Sequence, residues 1–228
     1  MSDLDREKRL AAEAAAELVE DGMLVGLGTG STAAFAIRRI AQRVRGGLHL
    51  RALPTSKQTE ALARELGIPL VSFEDVAALD LTLDGADEMD PALNLIKGGG
   101  GALFREKIVA AASRRLVIFA DHTKRVARLG RFPLPIEVNP FGWQVVAAKV
   151  NALGAEPALR QRDGRTFVTD NGGYILDCRF GEIADPPGLE RRLRAITGVM
   201  ETGLFCGMVA LACVAEGETV LQVEPAHP

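Results

Sequence analysis

The feature that most constrains this chain is an order that repeats along its first 130 residues. A short apolar run ends in a turn of glycine or hydroxyl residues, and a stretch with helical spacing follows. Residues 23–27 are the first such run, Gly28 to Thr32 the turn, and residues 32–45 the helix, which Gly46 and Gly47 should cap. "LHLRALP" and the helical "SKQTEALARELG" repeat the order, and "IPLVSF", "LDLTLDGADE" and "RRLVIFAD" supply further strand-like runs. Ahead of them, residues 4–20 carry Ala11, Ala14, Ala15, Leu18 and Val19 on one stripe of a predicted helix. Strands separated by helices make a parallel sheet covered on both faces.

The pattern changes after Gly130. Three prolines bracket a strand in "RFPLPIEVNP", and a helix is predicted over about residues 141–153. Alternating strands follow, with turn signals at Asp163-Gly164 and Asn171-Gly172, then a helix near 188–196 and a strand in "GVMETGLF". That β-α-β-β-α-β order suits a small ferredoxin-like module. The expectation is therefore an α/β chain: a Rossmann-like parallel-sheet domain, residues 1–130 plus 204–228, with a smaller α+β domain, residues 131–203, inserted before the last strands.

Composition removes several function classes. The net charge is −3, which argues against nucleic acid or an acidic membrane as partner. No apolar run is long enough to span a bilayer, and the charged "MSDLDREKRL" has no signal-peptide core. Cys178, Cys206 and Cys213 are odd in number and lack CxxC spacing, so they read as core residues in a reducing cytoplasm. His49, His122 and His227 show no metal-ligand spacing. Trp143 is expected to serve a core or an interface.

In an open α/β sheet, ligands bind beyond the carboxyl ends of the strands. Four loops follow strand-like runs and carry unusual polar residues: "GTGST" at 28–32, "TSKQTE" at 55–60, "DGADE" at 84–88 and "KGGGG" at 97–101. In a parallel sheet all four would share one edge. "GTGST" reads either as an anion cradle at a helix N-terminus or as a tight turn with Ser31 or Thr32 as N-cap. Residues 28–33 also match GxGxxA, but the acid a dinucleotide fold needs about 20 residues later is missing. Asp84, Asp87 and Glu88 at one strand end call for a cation, either a hard metal or Lys97. The four glycines each lower stability through lost chain entropy, so they need a reason. Glu106 follows at the start of a predicted helix.

Taken in order, "GLGTGST", "TSKQTE", "DGADE", "KGGGGALFREK", "FPLPIEV", "DNGGYILD" and "GVMETGLF" resemble the ribose-5-phosphate isomerase family, type A, over about residues 4–223. No functional motif departs from the family pattern; the small variations, such as Phe104 and Met89, fall at positions without a chemical role. The resemblance implies metal-free, cofactor-free interconversion of D-ribose 5-phosphate and D-ribulose 5-phosphate through an enediolate, in the non-oxidative pentose phosphate pathway. It implies Glu106 as general base and Lys97 with glycine N–H groups as oxyanion stabilisers. Asp84 and Asp87 would open the ring and shuttle hydroxyl protons. Substrate binding would involve Thr29, Gly30, Ser31 and Thr32, the Asp84, Gly85, Ala86, Asp87 turn, Gly98, Gly99 and Gly100, with Lys124 and Lys8 as further contacts. A carboxylate is a weak base in water, so Glu106 is expected to be partly desolvated, with its pKa raised against the helix dipole. A homodimer or homotetramer is implied.

Three rivals fit less well. A sugar-phosphate sensor would carry a DNA-binding helix-turn-helix, which the roughly 22 residues before the first strand are too few to form. An acyl-CoA transferase would use a glutamate near a glycine loop as nucleophile but needs a larger pocket. A metal-dependent hydride-shift isomerase would show a His/Asp/Glu ligand cluster.

Overall fold

Small residues decide how the first helix docks. In the computed structural model, helix α1 (Asp3–Ala16) starts at Ser2, whose hydroxyl accepts the Asp5 N–H, and it buries Ala11, Ala12, Ala15 and Ala16. The stripe is thus shifted from the one expected, with Ala14 only half-buried. The structure describes residues 2–225; Met1 and residues 226–228, His227 among them, lie outside the described residues.

The chain continues through β1 (Leu24–Leu27), α2 (Ser31–Arg45), β2 (Arg51–Pro54), α3 (Lys57–Glu65) and β3 (Leu81–Gly85). Short strands β4 (Glu88–Met89) and β5 (Leu95–Ile96) precede α4 (Leu103–Ala111) and β6 (Leu116–Asp121), which ends in a 3-10 turn, His122–Lys124. Next come β7 (Leu134–Val138), α5 (Trp143–Ala152), β8 (Glu156–Leu159), β9 (Gln161–Arg162) and β10 (Arg165–Thr166). The last elements are β11 (Tyr174–Arg179), α6 (Pro186–Arg194), β12 (Val199–Thr202), β13 (Leu204–Phe205), β14 (Val209–Glu216) and β15 (Thr219–Val223).

These elements form two compact units. The first holds residues 1–86, 105–124 and 208–228; the second holds 87–104 and 125–207. The division differs from the expected one, because residues 87–104, 125–130 and 204–207 fall with the small unit. The reason is pairing. β4 and β5 join β13 in an antiparallel three-stranded sheet, and the Val126 N–H bonds Met89 O at 2.9 Å.

The first unit is built on a six-stranded sheet in the order β15-β14-β6-β3-β1-β2. Every pair is parallel except the terminal hairpin β14–β15. Its core gathers Val25, Leu27, Ile37, Ile40, Leu81, Leu83, Val117 and Phe119 with the alanines of α1. The strand expected at residues 68–73 does not form. Pro69 has no N–H to give, and the segment makes one isolated bridge, Leu70 to Ala52.

In the second unit the sheet order is β12-β7-β11-β8, every pair antiparallel. With α5 and α6 as crossovers, this is the split β-α-β arrangement expected from the element order. Trp143 is half-buried and packs against that core, which includes Val138, Val146, Leu176 and Leu193. Asp163 and Gly164 both have positive φ (53° and 72°), the twist a two-residue hairpin turn demands.

Candidate active site

In the first unit, strands β1, β2, β3 and β6 run parallel, so their carboxyl ends share one edge. The loops at 28–32, 55–60 and 84–86 meet there, as does the turn carrying Lys124. The loop at 97–101 does not follow a strand of this sheet. It follows β5, in the three-stranded sheet of the second unit, so the expected single edge holds for three of the four loops.

Gly28 makes the close approach on which that edge depends. A Cβ at this position would lie 2.1 Å from Asp84 Oδ1 and 2.7 Å from Asp84 Cα. The freed space lets the buried Asp84 carboxylate, 1% exposed, accept the Gly85 N–H at 2.8 Å and the Thr29 N–H at 3.3 Å. Helix α2 then starts from Gly30 at φ 115°, with no side chain bonded at its N-cap. The reading of Ser31 or Thr32 as an N-capping hydroxyl is therefore corrected. The helix begins with backbone N–H groups and its positive dipole end, and no acid in its first turn.

The hydroxyls of the "TSKQTE" loop have a role that the sequence alone does not show. Thr29 Oγ1 lies 2.8 Å from both Thr55 Oγ1 and Ser56 Oγ, and 3.2 Å from Thr59 Oγ1. Thr59 passes its hydroxyl to Gly28 O at 2.9 Å, and Thr55 passes its own to Leu27 O at 3.0 Å. This cluster ties the loop after β1 to the start of α3. Residue types alone carried the signal, since three hydroxyl residues crowd into five positions after a strand.

Glu106 stands in the first turn of α4 and is 4% exposed, so its carboxylate has been drawn out of bulk water. Lys124 is half-buried on the 3-10 turn. Lys8 is half-buried on α1, with its ammonium 3.7 Å from Asp5. Its neighbour Glu7 is buried and holds His122 Nδ1 at 2.6 Å and accepts the Gly217 N–H at 2.8 Å. Burial pushes the Glu7 carboxyl up, but hydrogen bonds from His122 and the Gly217 N–H outweigh it and hold it below the usual range. The bond to Glu7 raises His122 in return.

The second unit carries Asp87, Lys97 and the glycines. Asp87 Oδ2 accepts the Gly99 N–H at 2.7 Å. Lys97 is 3% exposed, with its N–H on Gly203 O at 2.9 Å and its ammonium 5.4 Å from the Phe205 ring centre. Gly98 and Gly101 have φ of 102° and 87°, a region that favours glycine. A Cβ on Gly101 would also sit 2.5 Å from the Phe167 ring. The loop is thus shaped by backbone conformation and contact. Among the described residues no cluster of three or more metal-ligating side chains is present.

The profile of the ribose 5-phosphate isomerase A (phosphoriboisomerase A) family matches residues 51–219. The chain belongs to the ribose 5-phosphate isomerase A family. A relative of that name in Gloeobacter violaceus is 56% identical over 216 residues, 94% of each chain. Among solved structures, ribose 5-phosphate isomerase from Plasmodium falciparum superposes with a TM-score of 0.94 at 38% identity, over 98% of this chain and 100% of the other. A D-ribose-5-phosphate isomerase in complex with phospho-erythronic acid superposes at 0.95 and 38% identity, again over 98% and 100%. The isomerase family also accounts for the fold, parallel sheet included. No helix among the described residues is long and apolar enough to cross a membrane.

Proposed function

We propose that this chain interconverts D-ribose 5-phosphate and D-ribulose 5-phosphate by proton transfer through an enediolate. Membership of the isomerase family, at 56% identity to a relative over 94% of the chain, is the observation that carries the reading. Glu106 takes the proton from C2 of the open-chain aldose and returns it to C1. As the C2–H bond breaks, its electron pair forms the C1–C2 double bond and charge collects on the former carbonyl oxygen. Lys97 and glycine-loop N–H groups stabilise that charge. Asp84 and Asp87 move protons among the ring and chain hydroxyls. Burial of Glu106 supports its role, since it holds the carboxylate out of bulk water as a positioned base needs. The uncapped start of α2, with Thr29, Gly30, Ser31 and Thr32, offers the donors a phosphorylated sugar needs. Lys8, Lys124, Gly85, Ala86, Gly98 and Gly100 complete the proposed substrate contacts.

The reaction as written needs no metal and no cofactor, and it belongs in the cytoplasm, in the non-oxidative pentose phosphate pathway. The assembly proposed is a homodimer or homotetramer. Protein treated with EDTA should convert ribose 5-phosphate to the ketose at its full rate. Turnover that returns only with a divalent ion would overturn the metal-free mechanism. Glu106→Gln should lower kcat by about 10²- to 10⁴-fold with KM little changed. Near-normal turnover would remove Glu106 from the base role.

A further inference from the structure

The four glycines raise a question that membership of the family leaves open: what holds them. Ordering a backbone costs conformational entropy, and glycine loses more of it than any other residue. One turn bond, Gly101 N–H to Gly98 O at 3.0 Å, does not order such a loop. The second unit supplies a further hold from a distant part of the sequence. Arg160 Nη1 donates to Gly98 O at 2.9 Å and lies 3.2 Å from Gly99 O. Its guanidinium is itself gripped by Asp177, through Nε at 2.9 Å and Nη2 at 2.5 Å. The Arg160 side chain is 12% exposed, and its Cζ lies 5.9 Å from the centre of the Phe167 ring that packs on Gly101.

We propose that Arg160 is a positioning residue for the reaction, aiming the N–H groups of the glycine loop by clamping its carbonyls. The inference rests on the isomerase reading given above. A trans peptide is planar, with its C=O and N–H pointing in opposite directions. Holding the Gly98 carbonyl turns the Gly99 N–H away from Arg160, where it meets Asp87 Oδ2 at 2.7 Å. Holding the Gly99 carbonyl turns the Gly100 N–H away from Arg160 in the same manner. A cation on the oxygen side also polarises each peptide and strengthens its N–H as a donor. Gly99 N–H is therefore committed to orienting Asp87, and Gly100 N–H is the donor that the clamp presents. Asp177 acts one step further back, because its bidentate bond fixes the plane of the guanidinium fork.

The test compares Arg160→Met, Arg160→Lys and Asp177→Asn with the unmodified protein. The readouts are kcat and KM for ribose 5-phosphate, amide hydrogen exchange over residues 97–104, and thermal unfolding. The expected result is a fall in kcat of about tenfold to hundredfold in Arg160→Met, as loss of catalytic geometry brings, with a smaller change in KM and faster exchange in the loop. Arg160→Lys should recover part of kcat, and added guanidinium ion should raise the turnover of Arg160→Met. If Arg160→Met does not fold, Asp177→Asn and Arg160→Lys decide, with the same readouts. Turnover within twofold of the unmodified protein, or a fall in kcat with loop exchange unchanged, would overturn the proposal. A lack of turnover in the unmodified protein would instead overturn the isomerase reading. Loop exchange would then decide the clamp by itself, unchanged exchange in the variants overturning it.

Discussion

Gly28→Ala adds one methyl group, and the structure says where it goes. The new Cβ would stand 2.1 Å from Asp84 Oδ1 and 2.7 Å from Asp84 Cα. Comfortable carbon contacts begin at about 3.5 Å, so the two backbones must part by roughly 0.8 Å. Gly28 does not lie in the positive-φ region, so the clash is the whole effect and backbone strain adds nothing. Forcing a methyl group into a packed site costs about 1–3 kcal/mol. For a chain of this size that lowers Tm by about 2–12 °C. The larger effect should fall on activity. The carboxylate that moves is Asp84, one of the proposed proton shuttles, and displacement of a reacting group by about 1 Å can cost about a hundredfold in rate. The assay is ketose formation from ribose 5-phosphate under conditions where circular dichroism shows the variant folded. An alanine variant with native turnover and native Tm would refute the reasoning. It would mean that the loop yields freely and that glycine at this position serves no close approach.

Two further outcomes follow from the titrating groups. The Glu7–His122 pair should make stability depend on pH. His122 is raised above its usual 6.5, so its share is complete below that value and is lost as pH climbs through the folded-state pKa. Glu7 is held below its usual 4.5, so its share is present above that value and is lost as pH falls through the depressed pKa. Both shares are full between about pH 4.5 and 6.5, where Glu7→Gln should lower Tm most; the gap should narrow at higher pH. Glu216 and Asp121 also favour the charged form of the imidazole. A Tm difference that stays the same as pH rises well above 6.5 would count against the pair. Burial pushes the Cys213 thiol up to about 11, and burial with Asp177 nearby pushes Cys178 higher still. Neither should react with a thiol reagent at pH 8 until the chain unfolds, and rapid labelling of either in the folded protein would contradict their burial.

Much of the fold was legible from period and punctuation. The helix stretches beginning near Ser31 and Lys57 formed close to where their spacing placed them. Ser56 caps the latter by accepting the Thr59 N–H at 3.0 Å. The Asp163-Gly164 turn adopts the positive φ values its residue types require. What failed did so where pairing decides. "IPLVSF" has a strand's composition, yet proline leaves it one bridge. The segment holding Lys97 and residues 204–205 are both expected in the large domain from their positions in the chain, but they pair with each other, over a hundred positions apart, and fall with the small unit.

The same boundary runs through the site. The residue types of the loops, and their order, were determined by the sequence: glycines where a backbone must come close, acids at a strand end, a lysine before the glycine run and a glutamate after it. These are local requirements, and a single residue type can meet each of them. Only the tertiary structure decided that Gly28 leaves room for Asp84, that Thr29 joins a hydroxyl cluster with Thr55, Ser56 and Thr59, and that Asp87 accepts the Gly99 N–H. The same holds for Arg160, which sits about sixty residues from the carbonyls it binds. Arginine is common on surfaces and carries no local signature of such a role. Hydrogen bonds between distant segments depend on which strands pair and in what register, and that is settled by burying whole faces at once rather than by any one stretch of chain.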